Sequence, residues 1–90
     1  MPSYLVETYL ARGDADERTA RERRARSAAE ELTRGTTRVR FDRSIHVPDD
    51  EICFYVFDAP SARDVTHVVQ RAGLDPIRVI EAISSREEER

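Results

Sequence analysis

Between a proline turn (Val47-Pro48-Asp49-Asp50) and a helix start (Ala59-Pro60-Ser61), six consecutive residues are apolar or aromatic: Ile52-Cys53-Phe54-Tyr55-Val56-Phe57. Successive side chains of a strand point to opposite faces, so this run predicts a strand covered on both sides. Residues 3–10, rich in aromatic and β-branched types, predict a first strand. Asp14 with Glu17 three residues later has the pattern of an acidic capping box, which opens a helix near Ala15. In that helix Ala25, Ala28, Ala29 and Leu32 recur at helical spacing, a stripe of mostly small residues that predicts close approach to a sheet. Gly35 ends it. Between residues 37 and 47, Val39, Phe41, Ile45 and Val47 alternate with Arg38, Arg40, Asp42, Ser44 and His46. This predicts a second strand with one apolar face, interrupted at Arg43. Pro48 suits the first central position of a type I turn leading into the 52–57 strand. Ser61 and Asp64 cap a second helix, with Val65, Val68, Val69 and Ala72 as its buried stripe and Gly73 at the left-handed position beyond its end. Residues 77–83 predict a fourth strand, and residues 84–90 a charged tail.

The order strand, helix, strand, strand, helix, strand with right-handed crossovers places both helices on one face of a four-stranded antiparallel sheet. The expectation is an α+β, ferredoxin-like βαββαβ domain over residues 1–83. Two short helices cover only one side of the sheet. The doubly apolar third strand therefore implies a homodimer in which a second copy covers the other side.

Ninety residues make one small domain with a modest core, which self-association would help. No apolar stretch approaches the ~20 residues of a membrane span. The N-terminus lacks the basic start and long apolar region of a secretion signal, and a single cysteine forms no internal disulfide, so the expected location is cytoplasmic. All 15 basic residues are arginine, which removes Schiff-base chemistry, a lysine base and a P-loop lysine from consideration. A net charge of −3 and the absence of paired aromatic platforms with the expected glycines argue against nucleic acid as a partner. The first helix carries Arg18, Arg21, Arg23, Arg24 and Arg26. Glu17–Arg21 and Glu22–Arg26 stand at i, i+4, so the expectation there is a solvated, ion-paired face.

His46 and His67 are the only histidines and Cys53 the only thiol, and no two of them stand at a local metal-ligand spacing. Cys53 reads as a small core residue, His46 as exposed on the polar side of its strand, and His67 as lying at the border of its helix stripe. There is no GxSxG nucleophile turn. Polar groups on otherwise apolar strands are the ligand-binding candidates: Glu7, Tyr9, Arg43, Tyr55 and Glu81. A buried charge must be paired or bind something, so these residues imply either a register-fixing Arg43–Glu pair or a small polar pocket.

Several segments resemble one small bacterial family. They are Tyr4-Leu5-Val6-Glu7, Val39-Arg40-Phe41-Asp42-Arg43-Ser44, Cys53-Phe54-Tyr55-Val56-Phe57-Asp58-Ala59-Pro60, Ala72-Gly73-Leu74 and Arg78-Val79-Ile80-Glu81-Ala82. The family is domain of unknown function 4242, which includes nickel-binding proteins. The resemblance covers nearly the whole chain and implies a ferredoxin-like domain that dimerises through its sheets into a dimeric α/β barrel. It raises nickel or another divalent metal as a candidate cofactor, and the metal candidates in this chain are its two histidines and its thiol, His46, Cys53 and His67. In nickel-binding relatives the ligand positions lie near the end of strand one, in strand three and on helix two. In this chain Tyr9 stands in the strand-one region, the cysteine position falls on Tyr55, and His67 is displaced along its helix. The leading expectation is a non-enzymatic homodimer that binds a small ligand or a metal. The alternative is a dimeric-barrel enzyme acting on a small organic acid, an isomerase or oxygenase type. It would use Glu7 or His46 as base, Arg43 as electrostatic stabiliser and Tyr55 as proton donor.

Overall fold

The computed structural model describes residues 1–83; the predicted charged tail lies outside them. The elements are β1 (Ser3–Tyr9), α1 (Ala15–Arg34), β2 (Arg40–Val47), a single 3₁₀ turn (Pro48–Asp50), β3 (Ile52–Asp58), α2 (Ala62–Ala72) and β4 (Pro76–Ala82). Strand order is β2-β3-β1-β4, every neighbour antiparallel, which is the ferredoxin-like arrangement expected from the pattern. The two crossovers lay α1 against β2, α2 against β4, and the helices against each other on one face.

The helix-facing side of the sheet forms the core. Tyr4, Val6 and Thr8 of β1 and Cys53, Tyr55 and Phe57 of β3 are buried there beneath Ala25, Ala28 and Ala29 of α1 and Val65, Val68 and Val69 of α2. The alanine stripe explains the close seating of α1: small side chains bring the helix backbone near the sheet but remove little apolar area from water. Phe41 fills part of the remaining space, its ring 5.4 Å from Phe57 and 6.4 Å from Tyr55.

The termini of α2 form as its sequence predicts. The Ser61 hydroxyl accepts the Asp64 N–H at 3.3 Å, and Gly73 takes φ 71°, a left-handed conformation that glycine adopts without steric penalty. The start of α1 departs from expectation. Asp14 makes no side-chain cap, and the Glu17 carboxylate, 2.9 Å from the Arg21 Nε, turns along the helix instead of back toward the first N–H groups. The connection from β2 to β3 is a 3₁₀ turn followed by Glu51 at φ 53°, where a type I turn was expected. That residue fastens the turn to the end of β1: its carbonyl accepts the Leu10 N–H at 2.9 Å and its carboxylate the Arg12 N–H at 3.3 Å.

The largest departure is in β2. Phe41 pairs with Phe57 and Arg43 with Val56, so Asp42 is an extra residue with no counterpart on β3. Such a bulge shifts the two-residue alternation by one and exchanges the faces. Val39 and Phe41 are buried on the helix side, whereas Arg43, Ile45 and Val47 lie on the opposite face, where Ile45 is 41% exposed. The single apolar face expected for Val39, Phe41, Ile45 and Val47 is therefore divided between the two sides. In exchange, Ser44 and His46 turn inward beneath α1.

Candidate functional site

The bulge assembles a polar patch inside the helix-covered face. Cys53 stands on β3 between Thr8 on β1 and His46 on β2, and in the next inward-facing row Tyr55 stands between Val6 and Ser44. Cross-strand neighbours of this kind have Cβ atoms within ~4.5–5.5 Å. Above them α1 supplies Arg21 and Glu22. Arg21 is held on three sides: its Nε donates to Glu17 at 2.9 Å, and its Nη1 to the Tyr9 carbonyl at 2.9 Å and to the Thr8 hydroxyl at 3.4 Å. Thr8, 1% exposed, donates in turn to the Cys53 carbonyl at 2.9 Å. Ser44 donates to the Glu22 carboxylate, which closes the patch on the β2 side.

Two groups in this patch lack a protein partner. The Tyr55 hydroxyl and the His46 Nε2 are buried, and no side chain or backbone group among the described residues hydrogen-bonds to either. Arg21 and Cys53 both lie close enough to Tyr55 to act on it electrostatically, but neither meets it in hydrogen-bonding geometry. A buried polar group without a partner costs about 1–3 kcal/mol, so two in one patch single it out as the candidate site.

The electrostatics favour protonated, neutral groups around one fixed cation. Burial pushes the Cys53 thiol up, against the opposing pull of Tyr55, Arg18 and Arg21. Burial, reinforced by Cys53, drives the Tyr55 phenol far above its usual range, and Arg21 only partly offsets the shift. For Arg21, burial opposes the charge, but Glu17 and Tyr55 outweigh it and the guanidinium is held more firmly protonated. A thiol held in its neutral form is a poor nucleophile, so the patch is better suited to holding a molecule than to attacking one.

The sequence-derived candidates separate across the sheet. Tyr55 faces the helices. Glu7, Tyr9 and Arg43 lie on the opposite, open face, and Glu81 is exposed on the edge strand β4. Glu7 pairs with Arg78 at 2.6 Å, Arg43 with its neighbour Asp42, and the Tyr9 hydroxyl reaches Glu51 at 3.5 Å. The register-fixing Arg43–Glu pair does not form. Glu7, Arg43 and Tyr55 share no cavity, because the sheet itself lies between them, so the proposed base, stabiliser and proton donor cannot act on one substrate within a single chain.

The metal candidates divide as well. His46 and Cys53 are direct cross-strand partners, and His46 is half-buried where exposure was expected. His67 is exposed on α2, which packs against β4 at the far edge of the sheet from β2. Among the described residues no three His, Cys, Asp or Glu side chains come together as a metal-binding group. Two donors, one of them a thiol kept protonated by burial, do not fit the closed coordination set of a resident nickel or zinc ion. Thr8, Arg21, Glu22 and Ser44 were not among the candidates from sequence. The available signal was Arg43: a charge at a supposed core position marks the point where the strand changes phase.

No protein family and no curated protein matches the chain. Among solved structures, the chain is similar to the one described as the crystal structure analysis of SCO4226 from Streptomyces coelicolor A3(2). The two share 17% identity at a TM-score of 0.75, over 92% of this chain and 98% of the other. At that identity the likeness establishes the ferredoxin-like fold and nothing about chemistry. No helix among the described residues is long and apolar enough to cross a membrane.

Proposed function

We propose that this protein is a non-enzymatic homodimer that holds a small polar molecule beneath α1, against Tyr55, His46 and Arg21. The observation that carries this reading is the pair of buried polar atoms, the Tyr55 hydroxyl and the His46 Nε2, that the protein leaves without partners. With a phenol kept protonated, an imidazole nitrogen and a fixed guanidinium, the patch suits a ligand bearing a hydrogen-bond acceptor, such as a short organic acid. Dimerisation has its own support. The open face carries Leu5, Ile45, Val47, Ile52, Phe54 and Ile80, and its charges are already paired as Glu7–Arg78 and Arg40–Asp58. A face with an apolar centre and self-neutralised charges is suited to another copy of itself.

Calorimetric and thermal-shift titrations with acetate, lactate and citrate, alongside nickel and zinc chloride, test the ligand claim. The organic acids are expected to raise the melting temperature, and Tyr55→Phe is expected to abolish that gain while leaving the unliganded protein as stable or slightly more so. If the titrations produce neither heat nor a shift, the ligand reading is wrong. A response to the metals alone would replace it with a metal-binding one. Light scattering after size exclusion tests the assembly, and a monomer at tens of micromolar would refute it.

A further inference from the structure

A cleft with its own lining residues lies between the last turns of α1 and the start of β2, walled in part by Phe41, whose ring centroid is 6.4 Å from that of Tyr55. Four arginines line it (Arg26, Arg34, Arg38 and Arg40), with Glu30 as the single acidic side chain. Four arginines against Glu30 leave three positive charges, and the pairing of Arg40 with Asp58 lowers that local excess to two on a chain of net charge −3.

The arrangement is held in place by neighbouring contacts. The Thr33 hydroxyl donates to the Val39 carbonyl at 2.8 Å and accepts the Val39 N–H at 3.1 Å. This pair of hydrogen bonds across the α1–β2 loop sets Arg38 and Arg40 opposite the helix end that carries Arg34. Arg40 is oriented by Asp58, and Arg26 lies over the Phe41 ring at 5.2 Å from its centroid. Arg38 has no ion-pair partner among the described residues, and Arg34 adds only a distant attraction to Glu31. Bringing like charges together costs energy that an anion between them returns. The cleft measures about 750 Å³, within the ~300–1,000 Å³ of small-molecule sites, and much of its wall is carbon, from arginine stems, Ala29, Val39 and Phe41.

From these observations we infer that the α1–β2 cleft is a binding site for a small phosphate monoester with an apolar body. The guanidinium groups take the phosphate oxygens, and the stems with the Phe41 edge take the body. A dianion matches an excess of two positive charges better than a carboxylate does, and planar guanidinium groups meet phosphate oxygens in pairs. The site shares no residue with the patch beneath α1 and stands whether or not that patch binds a ligand.

Isothermal titration with phenyl phosphate is the test, with inorganic phosphate and phenylacetate as comparison ligands. Phenyl phosphate is expected to bind most tightly, and its affinity should fall as salt rises. The exposed double variant Arg34→Ala/Arg38→Ala is expected to weaken binding by at least about tenfold with its circular dichroism unchanged. Glu30→Gln should tighten binding about threefold by removing the opposing charge. Arg63→Ala, an exposed arginine of α2 outside the cleft, should bind as the parent does. The inference is overturned if phenyl phosphate does not bind at millimolar concentration, if the double variant binds as well as the parent, or if either comparison ligand binds as tightly.

Discussion

The two faces of the sheet carry opposite deficits. Beneath the helices nearly every side chain is buried, and what remains unmet is polar: the Tyr55 hydroxyl and the His46 Nε2. On the open face the polar groups have found partners, and what remains unmet is apolar: Ile45 is 41% exposed and Tyr9 57%, while Leu5, Ile52 and Phe54 are half-buried beside them. The same four strands build both faces, so the contrast comes from side-chain alternation and from one bulge. A face that lacks hydrogen-bond partners calls for a small polar guest, whereas a face that lacks apolar cover calls for a large dry surface. That difference is why a ligand is assigned to the first and a second subunit to the second.

The sharpest way to break the comparison is to truncate one phenylalanine from each face. Phe57, fully buried under the helices, is expected to cost about 3–5 kcal/mol as Phe57→Ala at any protein concentration. Phe54→Ala, on the open face beside Ile45, should cost less in the isolated chain and more as concentration rises, because the proposed assembly would cover it. Urea denaturation at two concentrations a hundredfold apart separates the two. A concentration-independent cost for Phe54→Ala would mean that the faces differ only in degree.

A smaller effect should appear with pH. Folding raises the proton affinity of Cys53 and Tyr55, so the folded chain keeps protons that the unfolded chain releases. Stability is then fully present below the ordinary thiol value of 9.0 and falls as pH passes it, then falls further beyond the ordinary phenol value of 10.0. Denaturation midpoints between pH 7 and 11 should trace that decline. Cys53→Ala is expected to remove the earlier part and Tyr55→Phe the later. A flat profile would show that the inner face does not hold these groups protonated.

The smallest effect belongs to the open face. Glu7→Gln removes the pairing with Arg78, whose side chain is 62% exposed, and should change stability by no more than about 1 kcal/mol. A double-mutant cycle with Arg78→Ala measures the coupling. A value well above that would mean the pair is desolvated, as it would be inside an interface.

The fold could be read from the chain because its signals are local and mutually consistent. The Ser61–Asp64 cap, Gly73 in the left-handed region and the valine stripe of α2 each appear in the structure where the pattern put them. The site was much less legible. An extra residue such as Asp42 has no composition of its own, and only Arg43 betrays it. The arginines of α1 misled for a related reason. Spacing along a helix reports only partners on that helix, and Glu17–Arg21 is the one pairing that formed as expected. Arg24 instead donates to the Ala72 carbonyl at the end of α2 at 2.9 Å, Arg26 lies over Phe41, and Glu22 receives Ser44. Tertiary structure chose those partners, and no rule of sequence separation reaches them.

The extra residue in β2 has a consequence for how such a chain can change. Losing Asp42 alone would straighten the strand and leave its faces as they are: Phe41 inward, Arg43, Ile45 and Val47 outward, and Ser44 and His46 still beneath α1. A deletion of one codon would thus remove the kink without moving the polar groups out of the interior or the apolar ones off the outer surface. The proposed binding and the proposed pairing would both survive that one genetic step, and the order of the strands would not change.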